Sequence, residues 1–312
     1  MQREWERPCH DRPAFETRPI LPGRIRDSLK KNPPERAIIW FWSEMLYSLA
    51  MMKTRLAAAV MSFVALTMPA LAIKGGRDVT DPTGVRSHVV QITGPSGTKC
   101  SGTVISRKLV LTAAHCFLSG HGDYRIRALD TQFRFRFAEA TQVAIHPQFD
   151  VTALGTSAAI NDIALIRVDH DFPDWLVPVP LASRIADDGS FVDVQVAGFG
   201  MSRDRVVSSA GKLRERRFDM LDQIDSKSHQ LFLIDHKATR RTINNNGICR
   251  GDSGGPVFQR QGASYVLVGV ISAVMGGKGR DCGTITAVTA VSAYRSFIET
   301  MADRAGSPVR FQ

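Results

Sequence analysis

From residue 73 onward the apolar positions come in short runs, not in long periodic stretches. Residues 89–93, 103–106, 109–112, 163–168, 191–197, 265–272 and 284–291 are rich in valine and isoleucine and are separated by turn-forming residues. β-Branched side chains fit a pleated, half-buried surface, so each run predicts a strand, with 103–106 and 109–112 paired as a hairpin. Apolar spacing of three and four residues appears only at the end. There Tyr294, Phe297, Ile298 and Met301 predict an amphipathic helix over about 292–303. The expected class is all-β with a C-terminal helix. The proline- and charge-rich stretch 171–188 reads as a crossover between two halves, about 73–175 and about 185–292.

The first 72 residues follow a different pattern. Residues 1–50 carry scattered charges and six prolines (Pro8, Pro13, Pro19, Pro22, Pro33, Pro34), and read as a disordered or mis-assigned extension. Residues 51–72 begin with Lys53 and Arg55, continue through an apolar run at 56–71, and close on Ala70-Leu71-Ala72. This is the layout of a secretory signal peptide. The rival is a membrane span, which needs about 20 apolar residues; the run has 16 (56 to 71) and includes Pro69. Because 50 residues precede the signal, the natural start is read as Met51 or Met52, the alternative being a genuine tail on a signal anchor. Residues 73–312 are then the mature domain, long enough for one all-β unit with a sizeable core.

The formal charge of the whole chain is +10; before residue 73 lie eleven Lys/Arg and seven Asp/Glu, which leaves about +6 for the mature part. No arginine-rich block accompanies it, so a solvated basic surface is expected and no nucleic-acid partner. Of five cysteines, Cys9 falls in the extension and Cys100, Cys116, Cys249 and Cys282 remain. An even number suits an exported chain with disulfides, and four cysteines allow three pairings. No Cys/His cluster or carboxylate set has metal-ligand spacing, so no metal and no cofactor is expected. His88, His121, His146 and His236 are read as surface residues.

Three motifs carry chemistry: Leu111-Thr112-Ala113-Ala114-His115-Cys116, Asn161-Asp162-Ile163-Ala164-Leu165, and Gly251-Asp252-Ser253-Gly254-Gly255-Pro256. Alone, Asp-Ser-Gly is a common turn, and a His beside a Cys is a common core residue or half a metal site. Together they place a base, a carboxylate and a hydroxyl in the order His, Asp, Ser, separated by 47 (115 to 162) and 91 (162 to 253) residues. On these motifs, and on Ala197-Gly198-Phe199-Gly200, the chain resembles the trypsin-like (chymotrypsin-fold) serine proteases. The resemblance covers most of residues 73–301. It is strong at 100–116, 161–167 and 249–257, and weak at 118–158 and 201–245.

The resemblance implies two antiparallel β-barrels with the active site in the cleft between them. It implies Ser253 as nucleophile, His115 as general base and Asp162 as the carboxylate that orients the ring. The backbone N–H groups of Gly251 and Ser253 match the family's oxyanion hole. The pairing Cys100–Cys116 and Cys249–Cys282 follows from the family as well. So does activation: a new α-amine at Ile73 would pair with Asp252, and cleavage after Ala72 would free it on export, unless a second protease trims residual residues. Lys74 departs from the apolar second residue usual in the family.

For specificity, Gly247 stands where trypsin-type members carry an aspartate, which argues against Lys/Arg preference. Ser272, Ala273 and Val274 match the substrate-pairing edge strand, Ser272 being placed to touch Asp162, and Thr286 falls on the far pocket wall. The expected preference is for small or medium apolar residues, with Arg250 or Arg280 as reasons for an acidic one instead. The expected activity is therefore an exported serine endopeptidase, secreted or periplasmic, acting on protein or peptide substrates, with no stable membrane association once the signal is removed. The competing class is a catalytically silent, protease-like binding module with a basic surface; an esterase is a third.

Overall fold

The computed structural model describes residues 73–81, 84–119, 123–153, 161–184, 193–225, 229–238, 246–275 and 280–312. The expected extension (1–50) and signal segment (51–72) lie outside the described residues, as does His121.

The first half closes into a barrel of six antiparallel strands. These are β2 (Val89–Thr93), β3 (Lys99–Val104), β4 (Leu109–Thr112), β5 (Arg125–Leu129), β6 (Phe135–Ile145) and β7 (Ala164–Val168), in the order β2-β3-β4-β7-β6-β5; β1 (Arg77–Asp78) belongs to the second half. All four residues of β4 are buried, so its continuous apolar run is that of a strand covered on both faces. The hairpin expected at 103–112 forms with Thr103 opposite Leu111 and Val104 opposite Val110.

The second half also closes. Strands β8 (Asp193–Gly198), β9 (Arg214–Asp225), β10 (Gln230–Asp235), β12 (Pro256–Gln261), β13 (Ser264–Met275) and β15 (Ile285–Ala290) run in the order β9-β10-β15-β13-β12-β8, and β8 pairs back to β9. β1 adds to β9, and a two-residue ribbon joins β11 (Ile248–Cys249) to β14 (Cys282–Gly283). Val194, Val196, Phe218, Leu233, Val257 and Val288 fill this barrel. The helix α1 (Arg295–Ala305) buries Ile298 and Ala302 and ends on Gly306 in the left-handed region at φ 59, the terminator that glycine supplies without a Cβ clash.

Both disulfides form as the resemblance implied, Cys100–Cys116 and Cys249–Cys282. The β5–β6 turn is held by Asp130, whose carboxylate accepts the backbone N–H groups of Arg134 and Gln132 and the side chains of Arg134 and Arg136. The Arg134 amide leads in pulling its carboxyl down to about 2. One expectation is corrected here: His88 and His146 are not simple surface residues. His88 Nδ1 lies 2.6 Å from the Val177 carbonyl oxygen, with its ring edge-on to Phe258 and Tyr265; His146 packs edge-on against Tyr294 and Phe297.

Candidate active site

The His115 segment is a short 3-10 turn, Ala114–Phe117, directly after β4. The Cys100–Cys116 bond ties that turn to β3. Asp162 lies two residues before β7, the strand that pairs with β4, so the two motifs arrive side by side. Its carboxylate accepts the His115 backbone N–H at 2.9 Å and sits 2.7 Å from His115 Nδ1. Asn161 makes the approach in the left-handed region at φ 48, a conformation asparagine tolerates. Its side-chain amide donates to Gln148 O, and Tyr294 O–H donates to its Oδ1.

Asp162 is fully buried. Burial pushes its carboxyl up, but the His115 ring, its charge, the Ser272 hydroxyl and the His115 amide together outweigh burial and leave it below the usual carboxylate range. The Ser272 hydroxyl donates to Oδ2 at 2.6 Å, and Thr289 O–H donates to the Asp162 carbonyl at 3.1 Å. An ionised carboxylate only accepts, so the network assigns the ring proton to Nδ1 and leaves Nε2 with a free lone pair.

Ser253 sits on a tight turn. Asp252 N–H donates to Cys249 O, and Gly255 N–H donates to Asp252 O. The turn is fastened to both halves: Gly254 N–H donates to Ile271 O at 2.7 Å, and Ser101 N–H donates to Ser253 O at 2.8 Å. Cys116 Sγ is 4.0 Å from that same carbonyl oxygen, which puts the serine beside the histidine segment. Gly254, at φ 78, has no room for a side chain; a Cβ there would stand 2.0 Å from Thr112 Oγ1. Gly251 is at φ 97, and its carbonyl accepts the Ser101 hydroxyl.

Ile73 and Asp252 lie in buried surroundings. Ile73 is fully buried and packs in the same core as Ile248. Lys74 bridges to Gly247, whose N–H donates to Lys74 O at 3.0 Å. Asp252 is buried too, its oxygens accepting Gly200 N–H and Cys249 N–H. Burial raises its carboxyl to about 7 against the pull of those amides and of the Arg214 charge. Ile73 stands at φ 42, an outlying conformation for a β-branched residue.

The residues expected to shape specificity also meet. Val274 and Thr286 are direct cross-strand partners on β13 and β15, and Ala273 faces Ala287. Ile248 faces Gly283, and a Cβ on Gly283 would stand 2.4 Å from Val274 Cγ1. At Gly247, with φ 139, a Cβ would strike Gly283 O at 2.2 Å, so this position excludes any side chain. Cys100, His115 and Cys116 have ligand atoms within 4.8 Å of one another, but both sulfurs are spent in the disulfide, so the group offers a metal only the imidazole.

The supporting roles of several residues could not be read from the sequence. Ser101, Thr289 and Tyr294 reach the site from 150, 127 and 133 residues away along the chain, and nothing local marks them. A cleft of about 670 Å³ lies elsewhere, lined by Gly75, Arg77, Asp193, Arg216, Asp235 and Arg260 among others. It holds no residue of the three motifs. Its carboxylates are taken by ion pairs with Arg77, Arg216 and Arg217.

Comparison with known proteins agrees with this geometry. The trypsin family model matches residues 73–298. Brachyurin of Leptuca pugilator is 30% identical over 210 residues, covering 64% of this chain and 86% of that protein. Phenoloxidase-activating factor 3 of Holotrichia diomphalia is 27% identical over 244 residues, covering 68% and 66%. Trypsin 5G1 of Aedes aegypti is 27% identical over 183 residues, covering 55% and 64%. No helix among the described residues is long and apolar enough to cross a membrane. The chain belongs to the trypsin family of serine proteases.

Proposed function

We propose that the protein is an exported serine endopeptidase that cuts peptide bonds through an acyl-enzyme on Ser253. The observation that carries this reading is the His115–Asp162 pair. Two hydrogen bonds and the Ser272 hydroxyl lock a buried carboxylate onto the ring, leaving Nε2 as its basic nitrogen, and Cys116, the next residue, lies 4.0 Å from Ser253 O. Ser253 Oγ attacks the scissile carbonyl as its proton passes to Nε2. The carbonyl oxygen, now negative, takes the N–H groups of Gly251 and Ser253. Collapse breaks the C–N bond, and the amine leaves with the proton from Nε2. Water then repeats the sequence on the ester. Oxyanion donors of this kind are worth roughly 3–4 kcal/mol each.

Activation rests on Ile73 and Asp252. In the uncut chain the buried Asp252 carboxylate accepts two amide N–H groups and feels the charge of Arg214, and Ile73 is held at φ 42. Cleavage before Ile73 removes the φ constraint, because that torsion includes the carbonyl carbon of residue 72. It also creates an ammonium to neutralise Asp252. Export with removal of residues 51–72 supplies that cleavage.

The pocket supports preference for small or medium apolar side chains. No carboxylate stands at Gly247, and Val274 and Thr286 are cross-strand partners beside Gly283. The test is covalent labelling with a sulfonyl fluoride, set against Ser253→Ala. Labelled, active wild type and a variant slower by about 10⁶-fold are expected. Wild type that takes no label and cuts no peptide would instead identify a protease-shaped binding module.

A further inference from the structure

We propose that the leaving-group side of the Ser253 cleft is a cationic subsite, formed by Lys99 and Arg250, that selects an acidic residue at the first or second position after the cut bond. This rests on the proteolytic reading above. The acyl half of a substrate has its place between β11, β13, β14 and β15, which bring Gly247, Val274, Gly283 and Thr286 together. On the other side of the Ser253 turn lies β3, where Ser101 N–H meets Ser253 O at 2.8 Å, and the other half is assigned to that side.

Lys99 opens that strand two residues before Ser101. Its carbonyl oxygen lies 3.7 Å from where a Cβ on Gly251 would stand. Its neighbour Cys100 turns inward to its disulfide, and Lys99 is exposed. Arg250 stands on the other flank, directly before Gly251. Its backbone is fixed from both sides: its N–H donates to Asp281 O at 2.8 Å, and its carbonyl accepts Met201 N–H at 2.9 Å. Cys249 is drawn into the second disulfide, and Arg250 is exposed. Two long cations thus flank the glycine assigned to the oxyanion hole.

The neighbouring loops add further cations. Arg203 and Arg280 are exposed on the segments that meet where Asp281 N–H donates to Asp204 Oδ1 at 2.7 Å. Asp204 and Asp281 are the acidic groups on those two segments. Lys99, Arg203, Arg250 and Arg280 outnumber them. A rim of net positive charge around a cleft raises the local concentration of the opposite charge.

Fluorogenic peptides with one common acyl half, carrying Asp, Asn or Lys at the first two leaving positions, test the subsite. Exposed ion pairs are each worth up to about fivefold, so kcat/KM for Asp over Asn should be about five- to tenfold at low salt. The ratio should shrink as the screening length drops to about 3 Å at 1 M salt. Arg250→Gln and Lys99→Gln should each lower the ratio, and Lys99→Glu with Arg250→Glu should invert it towards Lys. An enzyme that cleaves all three peptides with a ratio near one, or whose acidic preference survives the double reversal, overturns the subsite and leaves the proteolytic reading standing. A protein that cleaves none and takes no sulfonyl fluoride overturns both.

Discussion

Asp252→Asn should change stability with opposite sign before and after the cut at Ile73. In the uncut chain the carboxyl sits at about 7, chiefly because it is buried. An unfolded aspartate titrates near 3.9, so about three pH units separate the states, and each is worth about 1.4 kcal/mol. The folded state therefore binds more protons between those values. Stability is highest below about pH 4 and falls as the pH rises through about 7, by on the order of 4 kcal/mol. Asparagine abolishes that loss but turns one amino group against either Gly200 N–H or Cys249 N–H, which costs about 1–3 kcal/mol. The net gain for the uncut chain above pH 7 is then about 1–3 kcal/mol by those two terms.

In the chain that begins at Ile73 the same substitution strands the new ammonium in a buried site, and breaking such a pair costs about 3–5 kcal/mol. The amine's folded pKa is raised by its partner, so this stability is present below about pH 8 and is lost as the pH climbs through the folded value. Urea unfolding of both forms at pH 7.5, each carrying Ser253→Ala to stop self-digestion, measures the four midpoints. A gain in the uncut form with a loss in the cut form is expected. Shifts of the same sign in both would mean that Ile73 and Asp252 do not pair, and the activation scheme would fall.

Three further outcomes follow from the same geometry. Val274→Gly with Thr286→Gly should open the pocket and raise the kcat/KM ratio of phenylalanine over alanine substrates by at least about tenfold, since pocket contacts discriminate by about 10–200-fold per methylene; an unchanged cleavage profile would place the pocket elsewhere. Ser272→Ala removes a hydrogen bond that lowers the Asp162 carboxyl, so kcat/KM should fall by about tenfold, as expected for a lost bond to a charged group, and an unchanged kcat/KM would mean that the bond does not support the site. Burial pushes the His88 ring below the usual histidine range, against a bond to Val177 O. The folded state thus favours the neutral ring, so stability is present above about 6.5 and declines as the pH falls below it; urea midpoints at pH 7 and pH 5 should converge in His88→Gln, and an equal decline in both proteins would contradict this.

What could be read from the chain, and what could not, divides by where charge is placed. β4 and β7 are apolar almost throughout because both faces are covered, and such runs identify themselves. β6 and β9 gave no such run. β6 turns Arg136, Glu139 and Gln142 outward, and most of its residues are exposed or half-buried. β9 begins Arg-Glu-Arg-Arg, which reads as solvated surface, yet Arg214 is fully buried. Its partner is Asp78 on β1, while Arg216 forms a two-point bond with Asp235 at 2.8 and 2.6 Å. A charge buried against a distant counter-charge has no local signature, so these strands appear only when the pairing is seen.

The site divides the same way. His115, Asp162 and Ser253 announce themselves because chemistry confines each to a short motif. The groups that hold them come from far along the chain, and several cross from one barrel to the other. Ser272 and Thr289 of the second barrel both bond to Asp162 of the first, and Ser101 of the first bonds to the Ser253 turn of the second. The carboxylate is therefore completed by the opposite barrel, and the serine turn by the first. Any change that lets the two barrels part would remove the Ser272 bond from Asp162 and the Ser101 bond from Ser253 together. Activity should then be lost before either barrel unfolds, because the bonds that finish the site are the ones that span the cleft.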